Sequence, residues 1–287
     1  MRRLFWPALG AAALGAYALY EPRRFRLSIR ELPVSEPCPP LSILHVSDTH
    51  LSARSKALRR WLDRLVDDLP ETPDIVAATG DLIQDESGID EVIDSFARLE
   101  ARLGRFYVLG SHDYFASEFQ SYFRYVTGRR SMIRARRLPT DRLETGLQNK
   151  GWISLGNRTE MLATQAGGVR VAGVDDPYLG WDRTDHIERR RDEVLAVGLV
   201  HSPDVVSEWV LNSFDVVLGG HTHGGQVRLP GIGAIVTNCT LPTGLAGGAH
   251  RIGDSWLHVS PGLGAGRFSP IRFNCRPEAT LLRLRPA

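Results

Sequence analysis

The stretch Val216-Val217-Leu218-Gly219-Gly220-His221-Thr222-His223-Gly224-Gly225-Gln226 decides how this chain is read. An apolar run stops at two glycines and delivers two imidazoles one residue apart. Such a run bounded by glycine predicts a short buried strand, and glycine at its end lets backbone approach a neighbour that a side chain would keep away. Neutral imidazole is the commonest metal ligand, so the pair predicts either a metal site or a polar turn at a strand end.

Other apolar runs stop the same way. Ser42–Val46 runs into Ser47-Asp48-Thr49-His50, Ile75–Thr79 into Gly80-Asp81, and Phe106–Leu109 into Gly110-Ser111-His112-Asp113. Val169–Val174 runs into Asp175-Asp176-Pro177, and Val197–Val200 into His201-Ser202-Pro203. Between the first three runs, Leu58, Trp61, Leu62, Leu65, Val66 and Leu69, then Ile89, Val92, Ile93, Phe96, Leu99 and Leu103, recur at helical spacing. The alternation predicts a layered α/β fold with parallel strands. Right-handed crossovers place their ends on one edge, where such folds carry their sites. Val205, Val206, Trp209 and Val210 predict a short helix, and Ala234–Leu284 reads as short strands with glycine turns.

With 43% hydrophobic and 24% charged residues the chain is globular rather than disordered. A formal charge of +2 gives no reason to expect a nucleic-acid partner. Cys38, Cys239 and Cys275 are odd in number and far apart, so they form no disulfide framework or Cys-x-x-Cys motif. Leu4–Tyr20 carries no charge and lies between Arg2-Arg3 and Arg23-Arg24. It sits at the lower edge of the ~17–25 residues that span a bilayer, and is expected to be a membrane-anchor helix. A cleaved export signal and a plain buried helix are the alternatives, and the side of the membrane stays open. Residues 1–26 are thus an anchor or export segment, 27–40, with Pro33, Pro37, Pro39 and Pro40, a stiff linker, and 41–287 the main domain. Residues 121–142 hold Arg124, Arg129, Arg130, Arg134, Arg136, Arg137 and Arg142 against Asp141. They read as a solvated insertion, a patch for anionic headgroups, or a clamp for substrate phosphate. Glu188–Glu193 reads as charged surface.

The ordered set Asp48-Thr49-His50, Gly80-Asp81, Gly110-Ser111-His112-Asp113, His201 and Gly220-His221-Thr222-His223 resembles the motifs of the calcineurin-like metallophosphoesterases. Val174–Pro177, His221–Gln226 and Gly262-Leu263-Gly264 resemble its membrane-associated bacterial phosphodiesterase branch, which is similar to UDP-2,3-diacylglucosamine pyrophosphatase-type enzymes. The resemblance implies a two-sheet α/β sandwich flanked by helices and two divalent metal ions, with Mn, Fe or Zn suited to carboxylate and imidazole. It implies that Asp81 bridges the metals, that Asp48, His50 and His223 complete the first, and that His201 and His221 serve the second. His112 would protonate the leaving oxygen, with Asp113 holding its ring. Ser111 stands where the family has a metal-binding Asn and is a weaker ligand. Asp175 and Asp176 carry over no ligand role and suit a turn cap before Pro177.

The implied reaction is hydrolysis of a phosphodiester or pyrophosphate bond, with a membrane-linked nucleotide-diphosphate lipid or a cell-envelope diester as substrate. A protein phosphatase and a metal-poor phosphate-binding module are the rivals. Arg267 and Arg272 are within conceivable reach of a phosphate. His45, His186, His250 and His258 read as ordinary hydrogen-bonded or surface histidines.

Overall fold

The computed structural model describes residues 2–35, 37–117, 135–207 and 213–287, with backbone alone for residues 2–8 and 11. In chain order the elements are α1 (Arg2–Tyr20), β1 (Arg26–Val34), β2 (Leu41–Val46), α2 (Lys56–Asp68), β3 (Ile75–Thr79), α3 (Ile89–Ala97), β4 (Gly104–Val108) and α4 (Ser111–Tyr114). There follow α5 (Thr140–Asn149), β5 (Trp152–Ser154), β6 (Arg158–Thr164), β7 (Gly167–Gly173), β8 (Glu193–Leu199) and β9 (Val216–Gly219). The chain closes with β10 (Arg228–Leu229), β11 (Gly233–Ala234), β12 (Gly248–Ile252), β13 (Ser255–Val259) and β14 (Glu278–Pro286).

Two six-stranded sheets stack, in the orders β1-β14-β2-β3-β4-β5 and β12-β13-β9-β8-β7-β6. Pairing is parallel from β2 through β5 and from β7 through β9 to β13. The two-residue period of a strand sorts the side chains into layers. In the first sheet Leu44, Val46, Val76 and Ala78 pack against α2, α3 and α5, with Leu62, Phe96 and Leu147 opposite them. Ile43, Ile75 and Ala77 face the other way and meet Val197, Leu199, Val216 and Leu218 of the second sheet. The parallel βαβ arrangement and both amphipathic helices therefore stand where the apolar spacing put them. Trp209 and Val210, and Arg124, Arg129, Arg130 and Arg134 of the Arg-rich insertion, lie outside the described residues. Arg136 and Arg142 lie within them and pair with Glu86 and Asp90.

Three expectations need correction. Leu4–Tyr20 is helical within α1, yet among the described residues no helix is long and apolar enough to cross a membrane. The alanines, glycines and tyrosines make the stretch uncharged without making it strongly apolar. Its C-terminal end is tied to the body instead. The Ala18 carbonyl accepts from the Arg272 amide, and the buried Glu21 carboxylate accepts from the Asn274 and Cys275 amides at 2.8 and 2.9 Å. Secondly, much of the proline-rich stretch read as a linker is a strand, since β1 pairs in parallel with β14. Pro33 is accommodated because β1 is an edge strand. Thirdly, Glu193 is not surface charge. Its carboxylate meets the fully buried Arg170 at 2.6 Å, and Arg170 also donates to the carbonyls of Ile187 and Ser213. Arginine's planar fork of donors suits this enclosed geometry.

Removing one partner of a buried ion pair strands the other charge, at a cost of ~3–5 kcal/mol. Glu193→Ala is expected to lower unfolding free energy in urea by about that much. A loss no greater than that of an exposed pair such as Arg98–Asp63 would show that Arg170 finds other compensation.

Candidate metal centre

The strand ends converge as the sequence anticipates. Asp48 and His50 follow β2, Asp81 follows β3, Ser111 to Asp113 form the start of α4 after β4, His201 follows β8, and His221 and His223 follow β9. Five of these residues, Asp48, His50, Asp81, His221 and His223, have φ between 41 and 67°. A side-chain-bearing residue in this left-handed region stores strain of ~1–3 kcal/mol, and such strain clusters at functional sites. Close backbone approach is also required. A Cβ on Gly220 would lie 2.1 Å from Ser47 Oγ and 2.5 Å from Asp48 Oδ2.

Two groups of possible ligand atoms result, each within a 4.8 Å span: Asp48, His50 and His223, and Asp48, Asp81 and His201. Asp48 is common to both. His223 Nε2 lies 3.5 Å from Asp48 Oδ1, His50 Nε2 lies 3.7 Å from Asp81 Oδ2, and the two Nε2 atoms face each other at 3.2 Å. His221 stands apart from both groups. Its Nε2 is 3.2 Å from the Asn238 carbonyl, while its backbone amide donates to the Asp48 carboxylate at 3.1 Å. Its ring packs against those of His201 and Tyr178. Ser111 opens α4 beside Gly110, where a Cβ would collide with Asp81 and His201.

The donor chemistry fits cations. His201 Nδ1 is 2.7 Å from the Thr79 carbonyl, which only accepts, so Nδ1 carries a proton. His201 Nε2 is buried without a hydrogen-bond partner, 3.4 Å from Asp81 Oδ1. In a neutral ring that atom presents a lone pair beside a carboxylate, an arrangement that asks for a positive charge between them. Without a metal a proton serves. Burial works against the imidazolium, but the negative charges of Asp81, Asp48 and Asp176 raise the His201 pKa well above the ordinary value. Burial lowers His50 to about 3 and His221 to about 4, and lowers His223 well below its usual range. These rings are neutral and keep a lone pair. Burial pushes Asp48 up to about 7. Burial opposes ionisation of Asp81 as well, but His201 and His112 hold its carboxyl well below the usual range.

Asp113 does not hold the His112 ring. Its Oδ1 accepts from the Leu82 and Ile83 amides and its Oδ2 from the Gly110 amide. At the third position of a short helix a carboxylate reaches back to the exposed amides of the first turn. His112 Nδ1 is 2.8 Å from Ser117 Oγ instead. Gln84 Nε2 donates to that same oxygen and Gln84 Oε1 accepts from the Arg267 amide, which fixes the amide orientation. With one lone pair taken by Gln84, the Ser117 hydroxyl keeps a proton and a second lone pair, so it can hold His112 Nδ1 either as donor or as acceptor. Ser117 and Gln84 belong to no motif and are invisible in the sequence.

Arg272 is equally out of reach as a phosphate ligand. It is fully buried and donates to the carbonyls of Gly262, Gly264 and Cys275. Asp176 caps the turn after it through the Tyr178 amide, in keeping with its sequence context, and Asp175 accepts from Tyr114 Oη. The other Asp176 oxygen is buried without a partner, and burial raises this carboxyl to about 7.

With the centre described, the lineage is clear. Residues 41–225 match the family model for calcineurin-like phosphoesterases, and the chain belongs to that family. Among curated proteins it is similar to the uncharacterized metallophosphoesterase YkoQ of Bacillus subtilis, 29% identical over 84% of this chain and 82% of that protein. It is also similar to phosphodiesterase YaeI of Escherichia coli, 26% identical over 85% of this chain and 82% of that protein. The fold and the hydrolase class implied by the motifs are thereby established.

A protonated His201 must lose its proton before Nε2 can take a cation, so uptake of Mn or Zn at neutral pH is expected to release protons and to strengthen as pH rises. Titration calorimetry in two buffers of different ionisation enthalpy measures the release. Identical observed heats in both buffers would show that no proton leaves.

Proposed function

We propose that this phosphoesterase is a dinuclear metal-dependent phosphodiesterase. The observation that carries the reading is the pair of buried donor sets sharing Asp48, with Nε2 of His201 aimed beside Asp81. Asp48, His50 and His223 would hold one divalent ion of the Mn, Fe or Zn kind, and Asp81 and His201 the other, with His221 alongside; the carboxylate common to both donor groups is Asp48, where the resemblance implies Asp81. When bound, such ions supply hydroxide at neutral pH and offset the charge of the phosphoryl oxygens. The chain's own residues do the rest. Asp81 is kept ionised among its histidines, and its Oδ1 is also fixed by the His112 amide at 2.9 Å. His112 lies 5.2 Å from His50 between ring centres, and Ser117 Oγ holds its Nδ1. With a proton on each ring nitrogen it would pass the Nε2 proton to a leaving alkoxide and be left as neutral imidazole.

A diester is the favoured substrate class because YaeI is named a phosphodiesterase. A lipid-linked diphosphate drew on a membrane anchor, for which the described residues offer no spanning helix. Turnover of bis(4-nitrophenyl) phosphate, 4-nitrophenyl phosphate and a UDP-diacylglucosamine, each with Mn, Fe or Zn added separately, separates the classes. The diester is expected to lead. Preference for the monoester or the lipid would replace the substrate proposal, and metal-independent binding without turnover would favour the phosphate-binding rival.

Asp81→Asn is expected to weaken metal uptake and cut turnover by several orders of magnitude; near-normal values would refute the site. Ser111→Asn replaces a hydroxyl by a better oxygen donor, so less metal should give half-maximal rate. An unchanged titration would mean that position 111 does not reach the metal. General acids contribute ~10²–10⁴-fold. His112→Ala should therefore lose about that much on a diester with an alkyl leaving group and much less on one releasing nitrophenolate, which needs no proton. Equal losses on both would deny His112 the acid role.

A further inference from the structure

A buried polar chain crosses the apolar layer between the sheets and ends on Asp48. His258 of β13 and His45 of β2 face each other there, Nδ1 to Nδ1, at 2.8 Å. His45 Nε2 is 2.8 Å from Thr79 Oγ1, Thr79 Oγ1 is 2.7 Å from Ser47 Oγ, and Ser47 Oγ is 2.6 Å from Asp48 Oδ2. No member is more than 1% exposed. The neighbours in this layer are Ile43, Ala77, Val216 and Leu218. Four uncharged polar side chains in such surroundings are destabilising unless every one is satisfied.

The proton positions follow from one end. An ionised carboxylate only accepts, so the Ser47 hydroxyl donates to Asp48. Its other neighbour, the Thr79 carbonyl, is farther away at 3.2 Å and uncharged. Ser47 Oγ then accepts from the Thr79 hydroxyl, whose single proton is thereby used. Thr79 Oγ1 must accept from His45 Nε2–H, which leaves His45 Nδ1 as an acceptor for His258 Nδ1–H. Burial lowers the pKa of both histidines, that of His258 to about 3, so each ring is neutral and has one donor and one acceptor. All four donors point toward Asp48.

We propose that His258, His45, Thr79 and Ser47 form a one-way hydrogen-bond relay that positions the Asp48 carboxylate for metal binding. None of the four is a ligand; they are positioning residues, and the proposal rests on the reading of Asp48 as a metal ligand. Ser47 occupies Oδ2 and the His221 amide bridges both oxygens at 3.1 and 3.2 Å, which leaves Oδ1 the freer oxygen, 3.5 Å from His223 Nε2. The backbone of Asp48 is in the left-handed region at φ 49°, so the rotamer needs such support. Successive donors polarise one another in a low-dielectric interior, which strengthens the last bond to the carboxylate. Partners one step behind a metal ligand commonly set affinity by ~10–100-fold.

The test is metal affinity of the metal-free protein, measured by chelator competition with Mn and Zn, alongside thermal unfolding without metal. Thr79→Val keeps the shape and deletes the hydroxyl at the centre of the chain. Ser47→Ala deletes the last donor, and Thr79→Ser restores the hydroxyl. The expected result is a Kd weakened about 10–100-fold in Thr79→Val and Ser47→Ala, with Thr79→Ser at the wild-type value. A spacer that only joins the sheets would shift the unfolding temperature and leave Kd unchanged; that result overturns the relay. So does a Thr79→Ser variant as weak as Thr79→Val. If Thr79→Val does not fold, Ser47→Ala decides alone. If the wild-type protein takes up neither metal, the metal reading itself fails and the relay falls with it.

Discussion

Asp48 and Asp81 are buried carboxylates at the ends of adjacent parallel strands, and the surrounding structure is shaped by the need to hold them there. Taking a carboxylate out of water costs several kcal/mol unless opposite charge and hydrogen bonds replace the solvent. Backbone amides supply part of the replacement, His221 to Asp48 and His112 to Asp81. The Ser47 hydroxyl donates to Asp48 at 2.6 Å, and ring nitrogens of His50, His201 and His223 stand at 3.4–3.7 Å. Such density is possible because the chain leaves each strand in a left-handed turn and passes its neighbours as glycine. A side chain at Gly80 or Gly110 would overlap the His201 ring.

Both sheets are needed to build this cluster. The first contributes Asp48, His50 and Asp81, the second His201, His221 and His223. Their relative placement therefore depends on how the sheets are joined near the site. Apolar packing of Ile43, Ala77, Val216 and Leu218 sets the spacing, but dispersion is not directional. Directional contacts close to the site come from the His258–His45 pair and from Arg272. The latter ties the loop of Gly262 and Gly264, which lies against Asp48 and Thr49, to the loop holding Cys275. Glu21 in turn anchors the end of α1 to those amides.

What the sequence revealed and what it hid have physical causes. Runs such as Ile75–Thr79 and Val216–Gly219 are buried on both faces and stop at polar residues, so strand, layer and site could be read together. β1 was hidden because its prolines signal a linker in sequence, and only the edge position next to β14 makes them compatible with a strand. Glu193 was hidden because a carboxylate in a charged run looks solvated until Arg170 is seen beneath it. The resemblance to the family's Gly110–Asp113 motif implies that Asp113 supports the His112 ring. The helical turn instead aims that carboxylate at amides, and Ser117 arrives from the next turn of chain. His45 and His258 are single histidines in different strands, 213 positions apart, and only the stacking of two sheets makes them a pair.

The two donor sets differ in electrostatic character although they share Asp48. In the set with His50 and His223, burial holds both imidazoles neutral; Arg272 Nη2 donates to His223 Nδ1 at 3.4 Å, so the His223 proton sits on Nε2, 3.2 Å from His50 Nε2. In the set with Asp81 and His201, the proton on His201 already offsets the charge of Asp81. A dication in either set would meet Asp48, whose carboxyl burial raises to about 7, and one in the second set would also displace the proton of His201. The departure from the family pattern at Ser111 lies on the loop that covers Asp81 and His201, the side of that second set. Charge and ligand chemistry thus meet on one side: the proposed site of Asp81 and His201 carries both the raised His201 pKa and the departure at Ser111.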